Sequence, residues 1–290
     1  MLNSALKWVG GKRRIMDILR QHLPTAPGRR LVEPFVGSAA VFLNTDFDSY
    51  LLADINGDLI NFHNVAKEYP EELIGLGQLM FANHKGQEGY LAVRASFNLR
   101  IEVSNIMRAA KFLYLNRHGY NGMCRYNRRG EFNIPFGKVD APYFPEKEIR
   151  AFAEKAKNAV FLCCDFTESI EMAAPGDVIY CDPPYMPKTK TTGFTDYHTE
   201  GFGELHQYNL MYSLRAAATR GCHVVASNSD VAEALQCYGE FEAPRSVSCK
   251  GDGRGRVGEI IATMGPPHAD RFSLLVCRCL YRLLPALLRY

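Results

Sequence analysis

Val178-Ile179-Tyr180-Cys181-Asp182-Pro183-Pro184-Tyr185 decides how this chain is read. An apolar run of strand character ends abruptly in a carboxylate, two prolines and an aromatic ring. Each proline fixes its own φ and drives the residue before it towards extended geometry. The backbone therefore leaves the strand along one stiff path, which carries Asp182 and the neighbouring carbonyls to the strand's carboxyl edge. Open α/β sheets place their chemistry at that edge. A carboxylate beside a backbone carbonyl can accept both hydrogens of a planar amino group, and Tyr185 can lie against the flat ring that carries it. That set suits a nucleobase amine attacking an activated methyl group. A strand that ends in an ordinary Pro-Pro turn with a solvated aspartate is the bland alternative.

Working outward, four more apolar runs read as buried strands, at 30–35, 50–55, 159–166 and 222–228, alongside 178–182. Helical periodicity separates most of them, after Gly37 and over 205–220. Such alternation predicts a Rossmann-like, mostly parallel sheet covered by helices. Runs at 241–247 and 256–263 predict a terminal antiparallel hairpin. The interval between the second and third strands is too long for a loop in a compact domain. Helical patterns fill it at 59–67, 71–82, 89–97 and 104–115, so an inserted, mainly helical module is expected over 57–145. The catalytic domain is then discontinuous, 1–56 and 146–265, and 266–290 is a tail of unassigned role.

Composition sets limits but gives no function. A chain of 290 residues can hold one large α/β domain with an insertion, and its net charge of +3 leaves a nucleic-acid partner open. The nine cysteines are scattered, without Cys-x-x-Cys pairs or zinc-ligand spacing, which predicts free thiols, no metal and a reducing cytoplasm. The first residues carry no apolar signal core, and no stretch is long and uncharged enough to span a bilayer. A monomer is expected.

Two constellations read as cofactor-binding. Glu33-Pro34-Phe35-Val36-Gly37-Ser38 follows the first strand, where a glycine lets backbone approach a ligand closely. Asp54, at the end of the second strand, is placed to bind a ribose hydroxyl pair, and equally to cap its own strand end. In Lys7-Trp8-Val9-Gly10-Gly11-Lys12 a phosphate loop fails on spacing, because Leu6 and Arg13 stand where glycine and Ser/Thr are required. A Gly-Gly bend carrying Trp8 and Lys12 over a nucleoside is the better use. A basic arm with a core tryptophan is the bland one.

Residues 111–138 form the densest cationic, aromatic stretch, with Glu131 as its only acid. Asn127-Arg128-Arg129-Gly130 reads as the turn of a β-hairpin, a shape that fits a DNA major groove. Arg117, Arg128, Arg129 and Lys138 are candidate phosphate contacts, and Arg125 on a strand suits a bidentate contact to guanine. Tyr120 and Met123 offer surface to bases. A solvated charged hairpin is the competing reading.

In this order the segments resemble the Dam-type DNA adenine N6-methyltransferases, over about residues 5–263. The resemblance rests on Lys7-Trp8-x-Gly10-Gly11-Lys12, Glu33 to Gly37, Ala53-Asp54-Ile55-Asn56, Leu115-Asn116-Arg117 through Gly137, and Tyr180 to Tyr185. Phe194-Thr195-x-Tyr197-His198-Thr199 and Arg256-Val257 through Glu259 extend it. It implies a class I methyltransferase fold, S-adenosylmethionine as cofactor, and adenine in duplex 5′-GATC-3′ as target. It implies cofactor contacts at Trp8, Lys12, Gly37, Asp54 and Asp182, and catalysis by Asp182, Pro183, Pro184 and Tyr185. DNA contacts fall on Lys7, Tyr120, Asn121, Met123, Arg125, Asn133 and Pro135. Ala39 departs from the family's frequent second glycine, and the match fades after about Gly265. N4-cytosine or RNA-adenine methylation, and an inactive DNA-occluding protein of the same fold, are the alternative functions.

Overall fold

The computed structural model describes residues 1–26, 28–101, 104–139, 141–185, 202–230, 238, 242–250 and 256–265. Seven strands form one sheet: β1 (Arg30–Glu33), β2 (Ser49–Asp54), β3 (Ala159–Cys163), β4 (Val178–Cys181), β5 (His223–Ser229), β6 (Glu242–Lys250) and β7 (Arg256–Met264). Their order is β3-β2-β1-β4-β5-β7-β6. The first five run parallel, while β7 is antiparallel to both β5 and β6. The chain builds outward from β1 through β2 to β3, then returns to lay β4 on the other side of β1. The crevice between the ends of β1 and β4 is therefore the switch point, where such sheets bind ligands.

Side-chain alternation along the strands builds a core on each face. Leu31, Leu52, Tyr180 and Val225 point into one apolar cluster, together with Phe62, Phe112 and Phe152 from the helices. Val32, Ile179, Val224 and Ala226 point into the other, against Ile170, Leu210 and Leu214. The helices between β2 and β3 are α2 (Gly57–Glu68), α3 (Pro70–Asn83), α4 (Gly86–Asn98), α5 (Asn105–His118) and α6 (Glu146–Lys155), after a short α1 (Met16–His22). Asn56 caps α2 by accepting from the Asp58 and Leu59 N–H groups, and Ser104 caps α5 through the Met107 N–H. Two further helices among the described residues are α7 (Phe166–Glu171) and α8 (Glu204–Thr219).

Two local expectations differ from what forms. The helical pattern after Gly37 yields only a 3-10 turn, Phe42–Asn44. Ala39 takes φ +62° just ahead of it, a left-handed conformation that interrupts any right-handed helix started at Gly37. The expected hairpin strands around 127–130 reduce to lone antiparallel bridges, Tyr126 to Phe132 and Gly119 to Phe136. Pro135 has no N–H to give a ladder. The Asn127 side chain takes the Glu131 N–H that regular pairing would use, together with the Arg129 N–H of the turn.

Candidate active site

β4 stops where its sequence turns to proline, and its register with β5 sets what meets Asp182. Cys181 pairs with Ala226, so the next residues, Asp182 and Ser227, stand side by side. The Ser227 hydroxyl donates to Asp182 Oδ1 at 2.9 Å, and the Tyr180 hydroxyl lies 3.0 Å from Ser227 Oγ. A serine has one hydroxyl hydrogen. Because Ser227 gives its own to Asp182, the Tyr180 O–H must donate to Ser227. Tyr180 and Ser227 are both buried, so a directed chain of two hydroxyls ends on one carboxylate oxygen. The other oxygen, Oδ2, meets the buried Lys12 ammonium at 2.9 Å.

The rest of the tetrapeptide is held from behind. Gln207 on α8 donates to the Pro184 carbonyl at 3.0 Å, and the Tyr185 hydroxyl donates to Glu259 Oε2 on β7 at 3.2 Å. Lys12 Nζ also donates to the Gly10 carbonyl at 2.8 Å, sits 4.7 Å from the centre of the Tyr185 ring, and is 4.0 Å from Glu259. Burial, then the charge of Asp182, pushes the Tyr185 phenol well above its usual range. Glu33, at the end of β1, is also buried, and its Oε1 has no hydrogen-bond partner. Burial raises its carboxyl well above the ordinary range, and the neighbouring Asp182 adds to that shift.

The glycine turn adjoins this cluster. Gly37 has φ +48°, and a Cβ there would stand 2.9 Å from Trp8 Nε1, so glycine is what admits the indole. Asp54 fixes the same turn: its Oδ2 accepts from the Gly37 N–H at 3.2 Å and its Oδ1 from the Asn56 N–H at 3.0 Å. Both oxygens of Asp54 therefore have the strand-end capping role weighed above. Below the turn, His63 Nε2 donates to the Gly37 carbonyl at 2.8 Å, and burial lowers its imidazole to about 4 against that bond. Trp8 against Gly37 and Lys12 on Asp182 thus meet near the ends of β1 and β4.

The hairpin candidates are more dispersed. Tyr120, Asn121, Arg128, Arg129, Pro135 and Lys138 are exposed, whereas Met123, Arg125 and Asn133 are half-buried. Arg125 Nε donates to Asn133 Oδ1 at 2.9 Å, which fixes two of the candidate readers against each other. Arg117 does not face solvent. It is buried, and its guanidinium donates to the Tyr143 and Ala5 carbonyls. A motif dense in cations cannot distinguish this interior arginine from a phosphate ligand. Phe194 to Thr199 and the tail beyond Gly265 lie outside the described residues. Ser227 and Gln207 gave no sequence signal, and Glu259 lay in a motif that did not show its partner Tyr185, since each acts through a register between strands or helices. Among the described residues no cluster of three His, Cys, Asp or Glu side chains could hold a metal, and no helix is long and apolar enough to cross a membrane.

The Rossmann-like, mostly parallel sheet with its antiparallel terminal pair is the class I methyltransferase architecture. Residues 8–247 match the D12 class of N6 adenine-specific DNA methyltransferases, and the chain belongs to that family. It is 45% identical over 269 residues to the retron Ec67 DNA adenine methylase of Escherichia coli, covering 91% of this chain and 92% of that protein. It is 44% identical to a DNA adenine methylase of Vibrio cholerae serotype O1 and 43% identical to one of Escherichia coli K12. Each of those alignments covers 90% of this chain and 95% of the relative. The protein is an adenine-specific DNA methyltransferase.

Proposed function

We propose that this enzyme methylates N6 of an adenine turned out of duplex DNA at 5′-GATC-3′, with S-adenosylmethionine as donor. Asp182 and the Pro183 carbonyl accept the two amine hydrogens. One observation carries the reading: a carboxylate with one oxygen committed to a buried hydroxyl chain and the other facing an ammonium that a substrate amine can replace.

The residues at the switch point fit that donor. Gly37 lets the flat Trp8 indole lie directly on the turn, and Asp54 stands at the adjoining strand end. Asp182 and Glu259 set two carboxylates against the single Lys12 ammonium, and this surplus of negative charge suits a cationic ligand. S-adenosylmethionine supplies a methyl group on a positively charged sulfur. Trp8, Lys12, Gly37, Asp54 and Asp182 are the residues assigned to hold it.

The adenine amine is a weak nucleophile because its lone pair is delocalised into the ring. Acceptors for both hydrogens favour a tetrahedral nitrogen and localise that pair. Asp182 cannot rotate away, because Ser227 holds Oδ1 and Gln207 fixes the backbone two residues on. Tyr185, anchored by Glu259, lies against the purine. The gain comes from positioning and from acceptors aimed at developing charge. Turning the base out costs a few kcal/mol, recovered by stacking and by these acceptors.

The hairpin 119–138 on the helical module 57–145 is assigned to DNA. Arg128, Arg129 and Lys138 bind phosphates, Arg125 reads guanine, and Lys7, Tyr120, Asn121, Met123, Asn133 and Pro135 line the same contact. The test is to incubate GATC and single-base-variant duplexes with labelled S-adenosylmethionine and to analyse the nucleosides by mass. Label in N6-methyladenine from GATC alone supports the assignment. Label in cytosine, equal labelling of the variants, or none at all, refutes it.

A further inference from the structure

Asn116 lies in the last turn of α5 and is 1% exposed, yet it takes no part in the chemistry above. Its side-chain amide is fully used by backbone. Oδ1 accepts from the Lys7 N–H at 2.9 Å, and Nδ2 donates to the Lys7 carbonyl at 2.8 Å and to the Gly122 carbonyl at 3.0 Å. An asparagine amide has two donor hydrogens and one acceptor oxygen, so only this orientation satisfies all three groups. Asn116 pairs with Lys7 as a neighbouring strand would, while its second hydrogen reaches the first turn of the hairpin. Gly122 completes the joint. It has φ +64°, and a Cβ there would come 2.2 Å from Lys7 Cβ.

The two segments joined in this way have different tasks. On one side is the hairpin, with exposed Tyr120, Asn121, Arg128 and Arg129. On the other is a six-residue arm that begins at exposed Lys7, continues through Trp8 against Gly37, and ends at Lys12 on Asp182. The arm is tied at its two ends, by the Lys7 backbone to Asn116 and by the Lys12 ammonium to Asp182. We infer that Asn116 is a positioning residue that couples DNA recognition to the catalytic pocket. Docking of the hairpin on DNA moves the arm through the Lys7 backbone, and the arm sets Trp8 and Lys12. The inference rests on the assignment of the hairpin to DNA.

Trp8 is the only tryptophan of the chain, so its fluorescence reports the arm without recourse to activity. The probe is a GATC-containing duplex in the absence of cofactor, with binding followed separately by anisotropy of a label on the DNA. In the full-length wild type, binding is expected to shift Trp8 emission. Asn116→Asp turns both donors into acceptors facing carbonyls, and Gly122→Ala, at a buried turn glycine whose added Cβ meets the Lys7 side chain, disturbs the joint from the hairpin side. Both variants are expected to bind the duplex yet lose the emission shift. Their kcat is expected to fall on the order of tenfold or more with KM for DNA little changed. Melting curves identify a variant that has not folded, and Gly122→Ala then decides alone. If the folded variants keep the emission shift and the wild-type kcat, the coupling is refuted. Arg128→Ala/Arg129→Ala tests the underlying assignment: if it binds duplex as wild type does, the hairpin is not the DNA surface, and the coupling falls with that assignment.

Discussion

The pocket at the end of β4 and the hairpin at 119–138 are built in opposite ways. Around Asp182 each polar group is held by a side chain on a different element: Ser227 on β5, Gln207 on α8 and Glu259 on β7. Around Arg125 the backbone makes lone bridges, and most candidate contact residues are exposed. The pocket must present acceptors to a nitrogen whose geometry changes during reaction, and errors of a fraction of an ångström there raise the barrier directly. The hairpin must fit a groove: its backbone is anchored to the helices through Tyr90 and Asn98, and its exposed side chains at Tyr120, Asn121, Arg128 and Arg129 can adjust to the groove. Rigidity is spent on the chemistry, and adaptability on the address.

Breaking the rigid side carries the largest expected effect. Asp182→Ala should lower the methylation rate by roughly a hundredfold to a thousandfold or more, the usual loss for one preorganised group. Single-turnover kinetics checks this, and near-normal turnover removes Asp182 from the mechanism. Ser227→Ala leaves Oδ1 without its donor, which typically costs about 1–3 kcal/mol. It should appear in kcat, with KM for DNA and cofactor little changed. Ser227→Thr, which keeps the hydroxyl, should recover most of the rate, and Tyr180→Phe should show a smaller loss in the same direction. A full-rate alanine variant means the hydroxyl chain does not orient Asp182.

Breaking the adaptable side should leave the chemistry and change the choice of site. Arg125→Ala is expected to lose roughly 1–3 kcal/mol of discrimination at one guanine. Methylation sequencing of treated DNA reads this as new sites differing from GATC at that base. An unchanged site list removes Arg125 as the reader.

A smaller effect sharpens the comparison on the cofactor side. His63 is neutral in the folded protein, with its pKa lowered to about 4 from 6.5, chiefly by burial. Its contribution to stability is therefore complete above the unfolded value. It is lost progressively as pH falls through the window from 6.5 to about 4, where the unfolded chain binds more protons. Between pH 7.5 and pH 5 the wild type should lose about 2 kcal/mol that His63→Gln does not lose, since glutamine can still donate to Gly37. Denaturant titrations at both pH values check it, and equal pH sensitivity in the two proteins contradicts it.

What could be read from the sequence follows from how far each signal reaches along the chain. Strand ends marked by Pro183 and Pro184, or by Asp54, were legible because local backbone chemistry sets them. So were the helices of 57–118, whose periodicity and caps are local. The order β5-β7-β6 was not legible, because nothing in residues 242–264 says that the last strand inserts between its predecessors. Glu259 reaches Tyr185 only through that insertion. Asn116 lay inside a motif, but its partner Lys7 is 109 positions away. Arg117 was misplaced as a surface cation, because composition does not record that the carbonyls of Tyr143 and Ala5 enclose it.

The division between pocket and hairpin is tested most directly by one panel of duplexes, GATC and its single-base variants, given to Asp182→Ala and Arg125→Ala side by side, with DNA binding and methyl transfer measured for each. Asp182→Ala is expected to keep the wild-type ranking of duplexes in binding while its methyl transfer falls by roughly a hundredfold or more. Arg125→Ala is expected to transfer methyl at close to the wild-type rate on GATC while the ranking flattens at one guanine. A flattened ranking in Asp182→Ala, or an intact ranking in Arg125→Ala, would contradict that division.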